Sequence, residues 1–313
     1  MNEKKIKRTA LDRRMDRIRD LEEAGKLGTK LTNRTLRKIM ANKLAVFGTA
    51  LFVVILILCF GAPLFTSYSP TQISLRDRMV TPCTEHIMGT DQMGRDIWAR
   101  MLYGGRISII VGLGSAVGAA IIGVTLGLFV GYKGGWIDKI ILKISDVFLA
   151  FPQMVLIIIM VALVGQSLGN LIIIFILTGW PSMYRMARSQ VLSLKEEEFV
   201  QALRAFGISD VKIAFKHMLP NAVGTIVVNI TLSTAMFILQ EASLSVLGYG
   251  VPQEIATWGN IINVITNAGV IRYDWLGYWW MWLPCAIMLI LFVLAINFIG
   301  DGLRDASDPT QIG

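Results

Sequence analysis

Apolar residues in this chain gather into runs of about twenty, separated by segments rich in charge, and that spacing sets the architecture. About twenty apolar residues are what an α-helix needs to cross the hydrocarbon layer of a bilayer. The runs predict spans at about 45–65, 107–130, 144–164, 171 onward, 222–247 and 279–299. Pro152 lies inside the third, and Pro181 is expected to break the fourth. In hydrocarbon, backbone N–H and C=O groups must be paired internally, so these runs read as helices; β-barrel alternation is absent. The expected fold class is an all-α membrane protein with six transmembrane helices. The divisions are a basic tail at 1–43, a first helix and its loop at 44–106, a five-helix core at 107–300, and a short tail at 301–313.

Charge then orients the spans. With the N-terminus inside, segments 1–43, 131–143, 185–221 and 300–313 hold twenty-four of the thirty Lys and Arg residues. Segments 66–106, 165–170 and 248–278 hold six. Excess positive charge marks the cytoplasmic side, so both termini are expected there. Trp275, Trp279, Trp280 and Trp282 fit an aromatic belt at the outer edge of the last span. The net charge of +8 is not read as nucleic-acid binding, because the cations flank membrane spans. The tail 1–43 carries Leu11, Met15, Ile18 and Leu21 at helical spacing, either a solvated helix or one lying on the anionic inner leaflet. No cleavable signal is visible in it, so the first span is expected to remain as an anchor. Cys59, Cys83 and Cys285 have the spacing of neither a metal site nor a disulfide framework.

Catalytic chemistry finds no foothold in the sequence. No phosphate-cradling G-x-x-x-x-G-K-[ST] occurs, and His86 and His217 fall on opposite predicted sides of the membrane. An ion-coupled secondary transporter would want ionisable groups at mid-membrane, and spans 1, 2 and 6 have none. A redox anchor would want paired histidines within spans. In span 2, Gly114 and Gly118, then Gly123, Gly127 and Gly131, recur four apart. Such spacing allows close helix approach, within this chain or to a second membrane subunit.

The segment between spans 4 and 5 is the most informative. Ser193 with Glu196 reads as a capping box starting a helix. Phe199, Ala202, Leu203 and Phe206 form one apolar face, and Gly207 ends the helix. A second short helix is expected from near Ser209, with Val211, Ile213, Ala214 and Phe215 apolar, and Pro220 suits the first turn of span 5. The apolar face of this hairpin packs either on the chain's own loops or into a groove on a soluble partner.

Gly207 followed by Leu219-Pro220 resembles the EAA loop of bacterial ABC importer permeases. The family's Glu-Ala-Ala stands here as Gln201-Ala202-Leu203, so a Glu-mediated salt bridge at 201 is not implied. Lys216-His217-Met218-Leu219-Pro220-Asn221 is close to the peptide-transport branch. Three further blocks are similar to the C-type permeases of oligopeptide, dipeptide and nickel importers: His86 to Ser108, Glu241 to Val251, and Asn297 to Thr310. Asn42-Lys43-Leu44-Ala45 before span 1 is similar to the same group.

That resemblance implies a type I ABC importer transmembrane domain forming half of a translocation pathway in a bacterial cytoplasmic membrane. It implies a second homologous permease subunit, two ABC ATPase subunits, an extracytoplasmic substrate-binding protein, and no nucleic acid. No cofactor would bind this chain; ATP and Mg would act at the ATPases. The ATPase-docking loop, 193–220, would carry Glu198, Phe199, Gln201, Ala202, Leu203, Arg204, Phe206, Gly207, Ser209, Asp210, Lys212, His217 and Pro220. Peptides are favoured as substrate, ahead of nickel chelates, glutathione or other small solutes. Glu241, with Ser243, is expected near the outer mouth, as a solvated interfacial carboxylate or a pathway or gate residue. Asp146 and Arg185 are read as snorkelling near inner helix ends. Gly89, Asp91, Gly94, Arg95 and Asp96 belong to an outer loop that packs over the mouth or meets the binding protein. Asp301, Arg304 and Asp308 are expected to cap the inner end of span 6.

Overall fold

The computed structural model describes residues 39–264 and 274–307; residues 1–38 of the basic tail, with Leu11, Met15, Ile18 and Leu21, and Asp308 lie outside them. Among the described residues the chain is helical, with one isolated β-bridge between Thr90 and Asp96. The principal helices are α1 (Lys43–Phe60), α2 (Ile97–Lys133), α3 (Gly135–Ala150), α4 (Gln153–Val164), α5 (Leu168–Lys195), α6 (Glu198–Ala205), α7 (Leu219–Val246), α8 (Trp258–Ile262) and α9 (Leu283–Ser307).

Among the described residues four helical stretches are long and apolar enough to cross a membrane: Lys43–Phe60, Ile97–Lys133, Asp210–Val246 and Leu283–Ala306. A fifth appears if α3 and α4 form one broken span, for they meet at 91°. The third span, expected at about 144–164 with Pro152 inside it, is therefore two helices that break at that proline. Pro152 has no amide to continue a helix and pushes Phe151 to an extended conformation, φ −92° and ψ 144°. At Pro181 the expected break does not occur, and α5 runs through it for 28 residues. Pro181, Gly179 and Trp180 are all buried there, so tertiary packing overrides the local cost of about 3 kcal/mol. The second half of α5 carries Arg185, Arg188 and Lys195, which keeps it out of the apolar set.

Span 1 ends earlier than expected, at Phe60, followed by a kinked turn Ala62–Phe65 containing Pro63. Arg106 of α2 donates to the Cys59 and Phe60 carbonyls at 2.6 and 2.9 Å, satisfying the exposed acceptors of that end. At the other end of α1, Asn42 caps Leu44 and Ala45 and donates Nδ2 to Asp305 of α9 at 3.2 Å. The first and last similarity blocks therefore meet in space. Asp301 and Arg304 lie within α9, which continues to Ser307.

Helix α2 starts ten residues before its expected boundary, because Asp96 accepts the Ala99 amide at 2.7 Å and caps it there. Its 37 residues make it about 55 Å long and the axis of the fold. One core joins α1, α2, α7, α8 and α9 around fully buried Trp258, whose indole donates to the Met101 carbonyl at 3.0 Å. A second joins α2, α4, α5 and α7, with Phe175 stacked on Phe237 at 5.2 Å. The glycines of α2 resolve toward intramolecular packing. A Cβ on Gly123 would lie 2.5 Å from that of Met183, and one on Gly127 2.6 Å from that of Ala187. Helices α2 and α5 are in backbone contact along that stripe. Gly114 faces open space.

The 66–96 loop folds over the start of α2. Asp91, 2% exposed, accepts the Met93 and Arg95 amides and the Arg95 Nε at 2.6 Å. His86 Nδ1 lies 2.9 Å from the Asp96 carboxylate. These charged residues hold the loop's own shape.

Candidate coupling site

Helix α5 carries its register unbroken out of the core to Lys195. Ser193 therefore sits in its last turn, not at a helix start, and the expected capping box is absent. The Glu196 amide donates back to the Ser193 carbonyl at 3.4 Å. After this corner α6 begins at Glu198, behind extended Glu197. It ends as expected from Gly207. The Gly207 amide donates to the Arg204 carbonyl at 2.9 Å and the Ile208 amide to the Leu203 carbonyl at 3.2 Å. With φ +74° at Gly207, this is the Schellman arrangement, which places the residue after the helix cap in left-handed backbone.

No separate second helix follows. Ser209 is extended without a side-chain cap, Asp210–Lys212 makes one turn, and Ile213–Met218 forms a π-helical turn that runs directly into α7. The wide turn spends its Leu219 amide on Ala214, five residues back, just before Pro220 removes the next donor. Asn221 Nδ2 then donates to the His217 carbonyl at 2.7 Å.

The hairpin has two apolar faces, where the sequence suggested one. Val200, fully buried, packs inward with Ile213, Ala214 and Met218, and Leu203 is turned to the same side. Phe199 and Phe206 point away from the chain, 39% and 84% exposed. Glu198, Gln201, Ala202, Gly207, Ser209, Asp210, Lys212 and Pro220 are exposed as well, and His217 is half-buried. Arg204 is exposed too, but its guanidinium reaches back to the core: its Nε donates to the Tyr132 hydroxyl at 2.8 Å and the group lies 4.9 Å from that ring's centre.

This hairpin stands on a chain whose relatives are transporters. The family described as binding-protein-dependent transport system inner membrane component matches residues 123–312. The chain belongs to that family. The N-terminal membrane domain of oligopeptide transport permease C matches residues 30–82 of the permease. A dipeptide transport system permease protein of Alkalihalophilus pseudofirmus is 40% identical over 273 residues, covering 87% of this chain and 88% of that protein. The oligopeptide transport system permease protein of Bacillus subtilis is 36% identical over 290 residues, 93% of each chain. The dipeptide transport system permease protein of Bacillus subtilis is 35% identical over 294 residues, 94% of this chain and 90% of that one.

Elsewhere in the permease, the structure moves Glu241 from the expected solvated mouth to the interior. It is 0% exposed. Ser245 donates to one carboxylate oxygen at 2.9 Å, Ser108 to the other at 3.3 Å, and Thr257 also hydrogen-bonds the group. The reason is that segments 108 and 257 close over α7, so the carboxylate pins three elements together. Ser243 does face outward, its hydroxyl turned back to the Leu239 carbonyl at 2.8 Å. Asp146 and Arg185 pair with one another across α3 and α5 instead of snorkelling separately. Asp138, Arg188 and Tyr184 make a second, better buried junction, with Arg188 at 2.6 and 2.7 Å and the Tyr184 hydroxyl at 3.0 Å. Sequence reasoning missed Tyr132, Val200 and this junction; Asp138 and Arg188, fifty residues apart, gave no local sign.

Proposed function

We propose that this chain is the C-type permease subunit of an ATP-driven peptide importer in a bacterial cytoplasmic membrane. In this reading six helices cross the bilayer, with α5 the sixth and both termini cytoplasmic. A second, homologous permease completes the pathway, and an extracytoplasmic binding protein delivers the substrate. Two separate ATPases supply the energy; ATP and Mg act there, and this chain carries out no hydrolysis. The peptide assignment rests on the dipeptide and oligopeptide permeases it resembles.

The observation that carries the coupling assignment is Phe206. An aromatic side chain 84% exposed on a hairpin whose other face is locked to the core suits a buried anchor for a soluble partner. The exposed Phe199 and Ala202 lie on the same helix, seven and four residues before Phe206. Purification of the wild-type assembly from membranes is expected to bring down a P-loop ATPase and a second permease. The Phe206→Asp variant is expected to retain the second permease and lose the ATPase. Undiminished ATPase recovery with Phe206→Asp would refute docking through this face.

A further inference from the structure

We infer that Tyr132 is the joint through which displacement of the hairpin is passed to α3, a positioning role that rests on the coupling reading above. Tyr132 is 2% exposed at the last turn of α2. Two cations from the two sides of the hairpin's first corner converge on it. Arg204 of α6 donates to its hydroxyl at 2.8 Å and covers its ring at 4.9 Å. Lys195, the last residue of α5, donates to its backbone carbonyl at 2.9 Å, with the ammonium 5.6 Å from the same ring. That carbonyl is one of the unpaired acceptors at a helix C-terminus, where positive charge is favoured. Apolar burial of Val200 already holds α6 down. The polar contacts add a directional link between hairpin and helix end, which a hydrophobic contact would not give.

What lies beyond Tyr132 is built to move. Gly134 and Gly135 follow at φ +67° and +84°, with open space around both. They lead into α3, which buries only Asp138 and Ser145. The far end of α3 is the bend at Pro152. The helix thus has a bend at each end and is held to α5 by the Asp138–Arg188 and Asp146–Arg185 pairs, the Tyr184–Asp138 hydrogen bond and the Phe148–Trp180 ring contact. Chain segments that absorb backbone rotation at their ends are the usual hinges of rigid-body motion. Physical adjacency alone is not coupling, so the link has to be broken and read out.

The test uses the full complex with its ATPases. Spin labels go on native Cys83, exposed on the 66–96 loop, and on Lys139→Cys, exposed on α3; Cys59 and Cys285 are buried. Their separation is measured with and without ATP and vanadate. In the otherwise unaltered complex, trapping is expected to shift it by at least about 3 Å, well beyond thermal displacement per axis. Tyr132→Leu is expected to abolish the shift while the ATPases stay bound and still trap nucleotide. Tyr132→Phe, which keeps the ring and loses the hydroxyl, is expected to reduce it. Adding Arg204→Gln to Tyr132→Phe should cost no more than the larger single change, since both remove one shared contact. An undiminished shift in Tyr132→Leu, or no shift in the unaltered complex, overturns the joint. An assembly without an ATPase, and so without trapped nucleotide, overturns the coupling reading itself.

Discussion

Glu241 offers the sharpest test of how the two halves of the bundle are held together. Its cage can be worked out donor by donor. The Ser108 hydroxyl accepts the Trp258 amide at 3.1 Å, so its single proton is left for the carboxylate. The Thr257 hydroxyl accepts the Asn260 amide at 3.0 Å and is in the same position. Ser245 donates at 2.9 Å from one turn along α7. Glu241→Leu removes the common acceptor and strands three buried hydroxyls, each worth about 1–3 kcal/mol if left unpaired. Ser245 can rotate to a backbone carbonyl four residues back, which trims the sum. The expected destabilisation is about 3–5 kcal/mol. Glu241→Gln keeps the shape and one acceptor oxygen, and is expected to cost about 1–2 kcal/mol. Thermal unfolding of the purified protein in detergent, followed through the fluorescence of neighbouring Trp258, should rank the unaltered chain above Gln and Gln above Leu. Equal melting of the Leu variant and the unaltered chain would refute the cage. So would a Glu241→Gln variant less stable than Glu241→Leu.

Three further outcomes follow from the same geometry. Gly207→Val is expected to weaken recovery of the ATPase with the permease, because φ +74° is costly for a β-branched residue by at least about 1–2 kcal/mol; Gly207→Asn, which tolerates that backbone, should be milder on the same pull-down. Asp96→Ala removes the α2 cap and the His86 partner together and is expected to lower stability by about 2 kcal/mol, read as faster proteolysis of the 66–96 loop in sealed vesicles. Asp138→Leu strands the Arg188 guanidinium and the Tyr184 hydroxyl and is expected to lower the melting temperature more than Asp146→Leu, whose partner Arg185 is 48% exposed.

What the sequence made legible, and what it did not, divides along the distance between cause and effect. Spans 1, 2, 5 and 6 could be read because an apolar run is itself the cause of insertion. The Gly207 turn could be read because its hydrogen bonds close within six residues. Helix α5 was misjudged at Pro181, for its continuity comes from a glycine stripe on α2 some fifty residues away. Glu241 was misplaced for a similar reason: counting rises along α7 gives a position along the helix, which does not reveal that Ser108 and Thr257 close over it. The hairpin shows the division within eight residues. Its apolar periodicity pointed to one face, for the chain's own loops or for a partner, yet Val200 and Leu203 are claimed by Tyr132's neighbourhood on α2, and Phe199, Ala202 and Phe206 are left exposed. A sequence pattern can report that a helix has apolar residues to bury; which of them a second protein can reach depends on what the rest of the chain has covered first.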